Sequence, residues 1–129
     1  MSGIGSGAGG SGGGQGPAGP AGPSGPPGSD AAGGPIAIST KIANYSVSLS
    51  DCFLKADSSV NNANITFTLP SAASASGRIF YFKKIDATAF QMIIQTTGGE
   101  LIDGVTSQST NTQYDSFSLI SDGTSWSIF

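Results

Sequence analysis

The chain has no histidine and a single cysteine, Cys52. Without imidazole there is no Ser-His-Asp or Cys-His nucleophile and no nitrogen ligand for zinc. Cys52 has no partner for a disulfide within its own chain, and beside Phe53 and Leu54 it is expected as a buried, inert thiol. Charge is scarce as well: Asp, Glu, Lys and Arg make up 10% of residues, and the net charge is −3. The five basic residues, Lys41, Lys55, Arg78, Lys83 and Lys84, are scattered, so nucleic acid is not an expected partner. The longest bulky apolar run, Ile79-Phe80-Tyr81-Phe82, falls far short of a membrane span. No charged start leads into an apolar stretch, so cytoplasmic synthesis without membrane insertion is expected.

What is present is divided unevenly. Of the 20 glycines, 15 lie in residues 1–40, with six of the seven prolines, whereas every aromatic lies from Tyr45 onward. Before Ile36 the only large apolar side chains are Met1 and Ile4, too few to offset the ordering entropy of that segment. Residues 36–129 are enough for a modest core.

The first segment has its own order. Glycine recurs at Gly16, Gly19, Gly22, Gly25 and Gly28, and proline follows it in four of the five triplets. Three polyproline II chains can wind together only with glycine at every third position, because no side chain fits at the axis. Residues 16–30 are therefore expected to form a collagen-like stalk of roughly 45 Å at about 3.1 Å per residue, with the five glycines on its axis. The phase extends back through Gly13, Gly10 and Gly7, but Gly9, Gly12 and Gly14 fall off it, and Ala31 ends it. A disordered Gly/Pro linker is the rival, and the strict phase counts against it. Few triplets wind poorly from separate chains. A trimeric domain downstream makes winding intramolecular, so the repeat predicts that residues 36–129 trimerise.

From residue 36 the apolar pattern has period two. Ala43, Tyr45, Val47 and Leu49 alternate with polar residues, as do Ile65, Phe67 and Leu69. Strands are expected at 36–39, 42–49, 52–56, 64–69, 78–86, 89–96, 113–121 and 125–129. The stretches 79–85 and 90–95 are dense in β-branched and aromatic residues, predicting a hairpin around Asp86-Ala87-Thr88 with both faces partly covered. Asp122-Gly123 predicts a closing hairpin. No segment suits a helix, and the expected fold is an all-β, antiparallel sandwich or jelly-roll-like head, with its aromatics mostly in the core and Ser and Thr keeping its faces wet.

Weak motifs carry little. Gly5 to Gly10 matches GxGxxG, but no strand precedes it and no helix follows. Asn44-Tyr45-Ser46 and Asn64-Ile65-Thr66 match the glycosylation triplet inside predicted strands. Glu100 and Asp103 flank an apparent turn, where turn chemistry accounts for them, and a glycosidase pair from distant carboxylates stays open. No enzymatic activity, metal or cofactor is expected.

The run ITFTLPSAASASGRIFYFKKIDATA, then GGELIDG, then YDSFSLISDGTSWSIF resembles a C-terminal β module of fibre and appendage proteins of tailed bacteriophages and prophages. In that module a TLP turn, a G-R-x-[IFY] strand ending in KKID, an IDG turn and a closing SDG-x-x-W hairpin recur in this order. The resemblance covers residues 64–129 well and 36–63 less well, and implies a homotrimeric, non-enzymatic virion fibre. Collagen-like stalks joined to such heads are a known phage arrangement. A short fibre on the capsid is expected: a Gly-rich anchor at 1–15 holding a major capsid or other virion protein through Met1 and Ile4, a stalk at 16–30, a linker at 31–35 and a β head at 36–129. Host-surface glycans are the expected target of the head. A bacterial collagen-like surface or spore-coat protein is the alternative, and a small polysaccharide-degrading fibre tip the second.

Overall fold

A computed structural model of the chain describes residues 34–129. The expected anchor residues Met1 and Ile4 and the expected stalk glycines Gly16, Gly19, Gly22, Gly25 and Gly28 lie outside the described residues. Nine strands follow: β1 (Ile38–Lys41), β2 (Tyr45–Ser46), β3 (Phe53–Ala56), β4 (Ile65–Thr68), β5 (Ile79–Lys84), β6 (Met92–Gln95), β7 (Ser107–Thr110), β8 (Ser116–Ser121) and β9 (Trp126–Ile128). Among the described residues there is no helix.

Successive strands feed two sheets in turn. One sheet has the order β1-β3-β5-β8-β9, the other β2-β4-β6-β7. The chain thus runs as a flattened coil from one sheet to the other and back. Each return lays a strand beside, and in the same direction as, the one laid a coil earlier. Ile38, Phe53 and Tyr81 consequently stand in one parallel row, and Tyr45, Phe67 and Ile94 in another. After three coils the direction reverses: β7 pairs antiparallel with β6, β8 with β5, and β9 with β8.

The all-β class is as expected, but the strand directions are not. Both sheets are mixed, so a purely antiparallel sandwich or jelly roll is replaced by parallel rungs with an antiparallel close. The expected hairpin of 79–85 with 90–95 does not form, because β5 and β6 lie in different sheets and residues 85–91 carry the chain between them. Strand β7, SQST, has no counterpart among the expected strands, since it lacks any apolar side chain and is held by its backbone ladder to β6. The closing hairpin does form, with Asp122 Oδ1 accepting the N–H groups of Thr124 and Ser125.

Alternation fills the space between the sheets. Leu54, Ala56, Phe80, Phe82 and Leu119 point inward from the first sheet, and Ile65, Phe67, Met92 and Ile94 from the second. The Phe67 and Phe82 ring centroids lie 5.2 Å apart across the two layers. Of the eleven aromatics, Phe67, Phe80, Phe82 and Trp126 are fully buried and Tyr45 and Phe117 pack half-buried against the core, while the other five lie outside it. Leu49, at 41% exposure, also lies outside, because β2 ends at Ser46 and the chain then turns.

Candidate binding faces

The turn after β2 shows how a short edge strand is fixed. Asp51 Oδ2 accepts the Ser48 N–H at 2.8 Å and the Tyr45 hydroxyl at 2.9 Å. That hydrogen bond to Asp51, then burial and the Asp51 charge, raise the Tyr45 phenol above its ordinary value. The Lys41 ammonium sits 3.8 Å from the Tyr45 ring centre, linking β1 of one sheet to β2 of the other.

Beside this edge the outer face of the four-stranded sheet forms an open cleft of about 300 Å³, lined by Asn44, Tyr45, Ser46, Thr66, Thr68 and Gln95. The polar lining follows from alternation: Ile65 and Phe67 turn into the core, which sends Thr66 and Thr68 out. Gln95 Nε2 donates to Thr68 Oγ1 at 3.1 Å, holding two adjacent rungs. Asn44 Oδ1 accepts the Thr66 N–H at 2.9 Å, and Asn64 Oδ1 accepts the Gln91 N–H at 2.8 Å. The two glycosylation-like triplets therefore begin with asparagines that bond the next coil.

The outer face of the five-stranded sheet is different. The row Ile38, Phe53, Tyr81, Ser118 crosses four strands, and Phe129 follows Ser118 through its N–H to the Ser118 carbonyl at 3.0 Å. Phe53 and Tyr81 stack with centroids 6.0 Å apart. Ile79 and Ile120 pair alongside. The expected wet surface thus holds for the four-stranded sheet apart from Ile93, and here it is kept by Thr40, Lys55, Lys83 and Ser116 but gives way to apolar side chains at the end where β1, β3 and β5 begin.

Two residues after β5 the chain bends around a buried ion pair. Lys84 Nζ lies 2.6 Å from Asp86 Oδ1, and both side chains are enclosed. Asp86 also accepts from the Ser58 and Thr88 N–H groups and the Thr88 hydroxyl. Burial by itself pushes the Asp86 carboxyl up, but the Lys84 ammonium, the Thr88 hydroxyl and the two N–H groups outweigh it and hold it far below the ordinary range. In the sequence Lys83 and Lys84 read together as scattered charges. Strand alternation after Phe80 and Phe82 is the signal that puts Lys84 inside.

The remaining polar candidates are engaged structurally. Both carboxylate oxygens of Glu100 accept the Ala72 N–H at 3.0 Å, and Asp103 Oδ2 accepts the Ile128 N–H at 3.3 Å. Asp103 and Gly104, both at positive φ, form the tight turn joining Ile102 to Val105. Cys52 is buried, and its burial raises the thiol above its ordinary value despite the Arg78 charge, which leaves little thiolate. Among the described residues no group of three His, Cys, Asp or Glu side chains converges as metal ligands would.

No protein family matches the chain, and no curated protein or solved structure matches it either.

Proposed function

We propose that the chain is the subunit of a homotrimeric virion fibre, in which residues 16–30 form a collagen-like stalk and the β domain is the projecting head. The observation that carries the proposal is the in-phase run Gly16, Gly19, Gly22, Gly25 and Gly28 immediately upstream of the coiled β domain. A triple helix needs three chains, and a folded head that associates supplies the local concentration that so short a repeat requires. The work of the fibre is mechanical and adhesive. Met1 and Ile4 fasten it to a major capsid or other virion protein, and the polar cleft of the four-stranded sheet meets host-surface glycans through its hydroxyl and amide groups. Many weak contacts, multiplied over three heads and many fibres, hold the particle at the host.

Two measurements test this. The full chain is expected to sediment at three chain masses and to show the circular dichroism band of a collagen triple helix, which Gly22→Ala abolishes. Immunogold labelling of phage particles is expected on the capsid. Label confined to a bacterial surface or spore coat would replace the virion proposal with the bacterial one, and a sedimentation mass of one chain would remove the fibre altogether. Host polysaccharide incubated with the protein is expected to keep its mass, against the activity of a degrading tip.

A further inference from the structure

We propose that the heads associate through the outer face of the five-stranded sheet, three copies meeting around a common axis through Ile38, Phe53, Ile79, Tyr81, Ile120 and Phe129. The proposal rests on the trimeric fibre above and assigns its interface.

Ile38 and Phe129 are 62% and 64% exposed in the single chain, and with half-buried Phe53, Tyr81, Ile79 and Ile120 they share one outer face, with Ser118 between Tyr81 and Phe129. A contiguous apolar patch on a soluble domain marks an association site. Parallel strands ordinarily have both faces covered, and of the two parallel stacks, β1-β3-β5 and β2-β4-β6, the first is the one with several apolar side chains on its outer face. Strand β5 is written for two covers: Phe80 and Phe82 face the core, while Ile79 and Tyr81 face outward. The outer face of the four-stranded sheet is mainly polar: Ser46, Thr66, Thr68, Gln95, Ser107 and Ser109 face out from it, with Ile93 a lone apolar side chain among them.

The position of this patch identifies a second and third copy as its cover. Strands β1, β3 and β5 run in the same direction, so Ile38, Phe53 and Ile79, which open them, lie at one end of the sheet. That is the end where the chain enters from the stalk. Asp30 to Ile38 can span at most about 30 Å at 3.3–3.6 Å per residue. Three chains leaving one triple helix therefore deliver three copies of β1, and of the apolar row beginning at Ile38, to the same small region. The lysines on this face, Lys55 and Lys83, form a row at the far end, and Lys83 Nζ donates sideways to the Tyr114 carbonyl at 3.2 Å. Three heads touching at the apolar end and splayed at the lysine end bury the former and leave the latter in water.

Sedimentation of the full chain decides the matter, with circular dichroism reporting the fold. Wild type and Thr66→Glu, on the opposite sheet, are expected at three chain masses; Tyr81→Glu with Ile120→Glu is expected at one, with its β-sheet spectrum kept. A trimeric wild type whose Tyr81→Glu, Ile120→Glu variant is also trimeric would overturn the interface and leave the fibre standing. A monomeric wild type overturns both. If the glutamate variant loses its fold, cross-linking takes its place. Ser118→Cys, a small change in the middle of the row, is expected to join chains with a short bismaleimide, whereas wild type and Ser109→Cys do not. Equal cross-linking of Ser118→Cys and Ser109→Cys would likewise remove the proposed face.

Discussion

Lys84 and Asp86, two residues apart, turn toward each other inside the bend that carries the chain from one sheet to the other, Nζ to Oδ1 at 2.6 Å. Taking either charge away strands the other in a site closed to water. Lys84→Met and Asp86→Asn are each expected to destabilise the head by about 3–5 kcal/mol, read as a lower urea midpoint. A loss near zero for both variants would show that the pair is open to solvent.

The same carboxylate is expected to set the acid limit. Asp86 is held below its ordinary value of 3.8, so below that value the unfolded chain binds a proton that the folded chain still refuses. Its contribution is complete above about pH 5 and is lost as the pH falls through and below 3.8. Asp122, held low by the Ser125 and Thr124 N–H groups, acts in the same direction at the surface. Stability measured from pH 6 down to pH 2 should fall steeply in wild type and less steeply in Asp86→Asn. Parallel curves would mean that other carboxylates set the limit.

Much of this fold was legible in the residues, and what was not has a physical reason. Apolar patterning located segments that overlap eight of the nine strands, because seven of them carry apolar inner side chains and β1 carries Ile38 on its outer face; β7 escaped because Ser107 to Thr110 supply neither. Alternation says which side chains share a face but nothing of which strands are neighbours. Dense apolar character in 79–85 and 90–95 arises equally in a hairpin and in the third rungs of two parallel stacks. The cleft was hidden for the same reason: Asn44, Thr66 and Gln95 belong to three successive coils and meet only through the register. The apolar face could have been noticed in Ile79 and Tyr81, which occupy the parity opposite to Phe80 and Phe82.

Phe67 and Phe82 join the two layers, both fully buried with centroids 5.2 Å apart. Each Phe→Ala substitution is expected to cost about 3–5 kcal/mol, transfer and cavity terms together. The double variant should cost less than the sum by about 0.5–1.5 kcal/mol, the share that belongs to the ring pair. Strict additivity in urea unfolding would argue that the rings do not meet.

Asn44 and Asn64 hold equivalent places in successive coils, each just before a strand and each bonded to a backbone N–H of the next coil. Alanine at either removes one acceptor at the sheet end, where water replaces it in part. A loss of about 0.5–1.5 kcal/mol per site is expected, with Asn64→Asp retaining most of it because a carboxylate accepts the same bond. Aspartate as damaging as alanine would assign the effect to something other than the N–H bond.

The cleft should be separable from stability. Thr68 and Gln95 touch the core with neither side chain, and their mutual hydrogen bond is exposed. Thr68→Ala with Gln95→Ala is therefore expected to move the urea-derived stability by no more than about 0.5 kcal/mol. In the proposed fibre adhesion is expected to respond differently, because all three heads would carry the same substitution. If each head gives up about 0.5–1 kcal/mol of glycan affinity, simultaneous engagement multiplies this to roughly 1.5–3 kcal/mol, or about ten- to more than a hundredfold in avidity. Binding of fluorescent fibres to host cells should fall accordingly while sedimentation still reports three chains. Unchanged adhesion by a stable trimeric variant would clear the four-stranded face of any part in recognition.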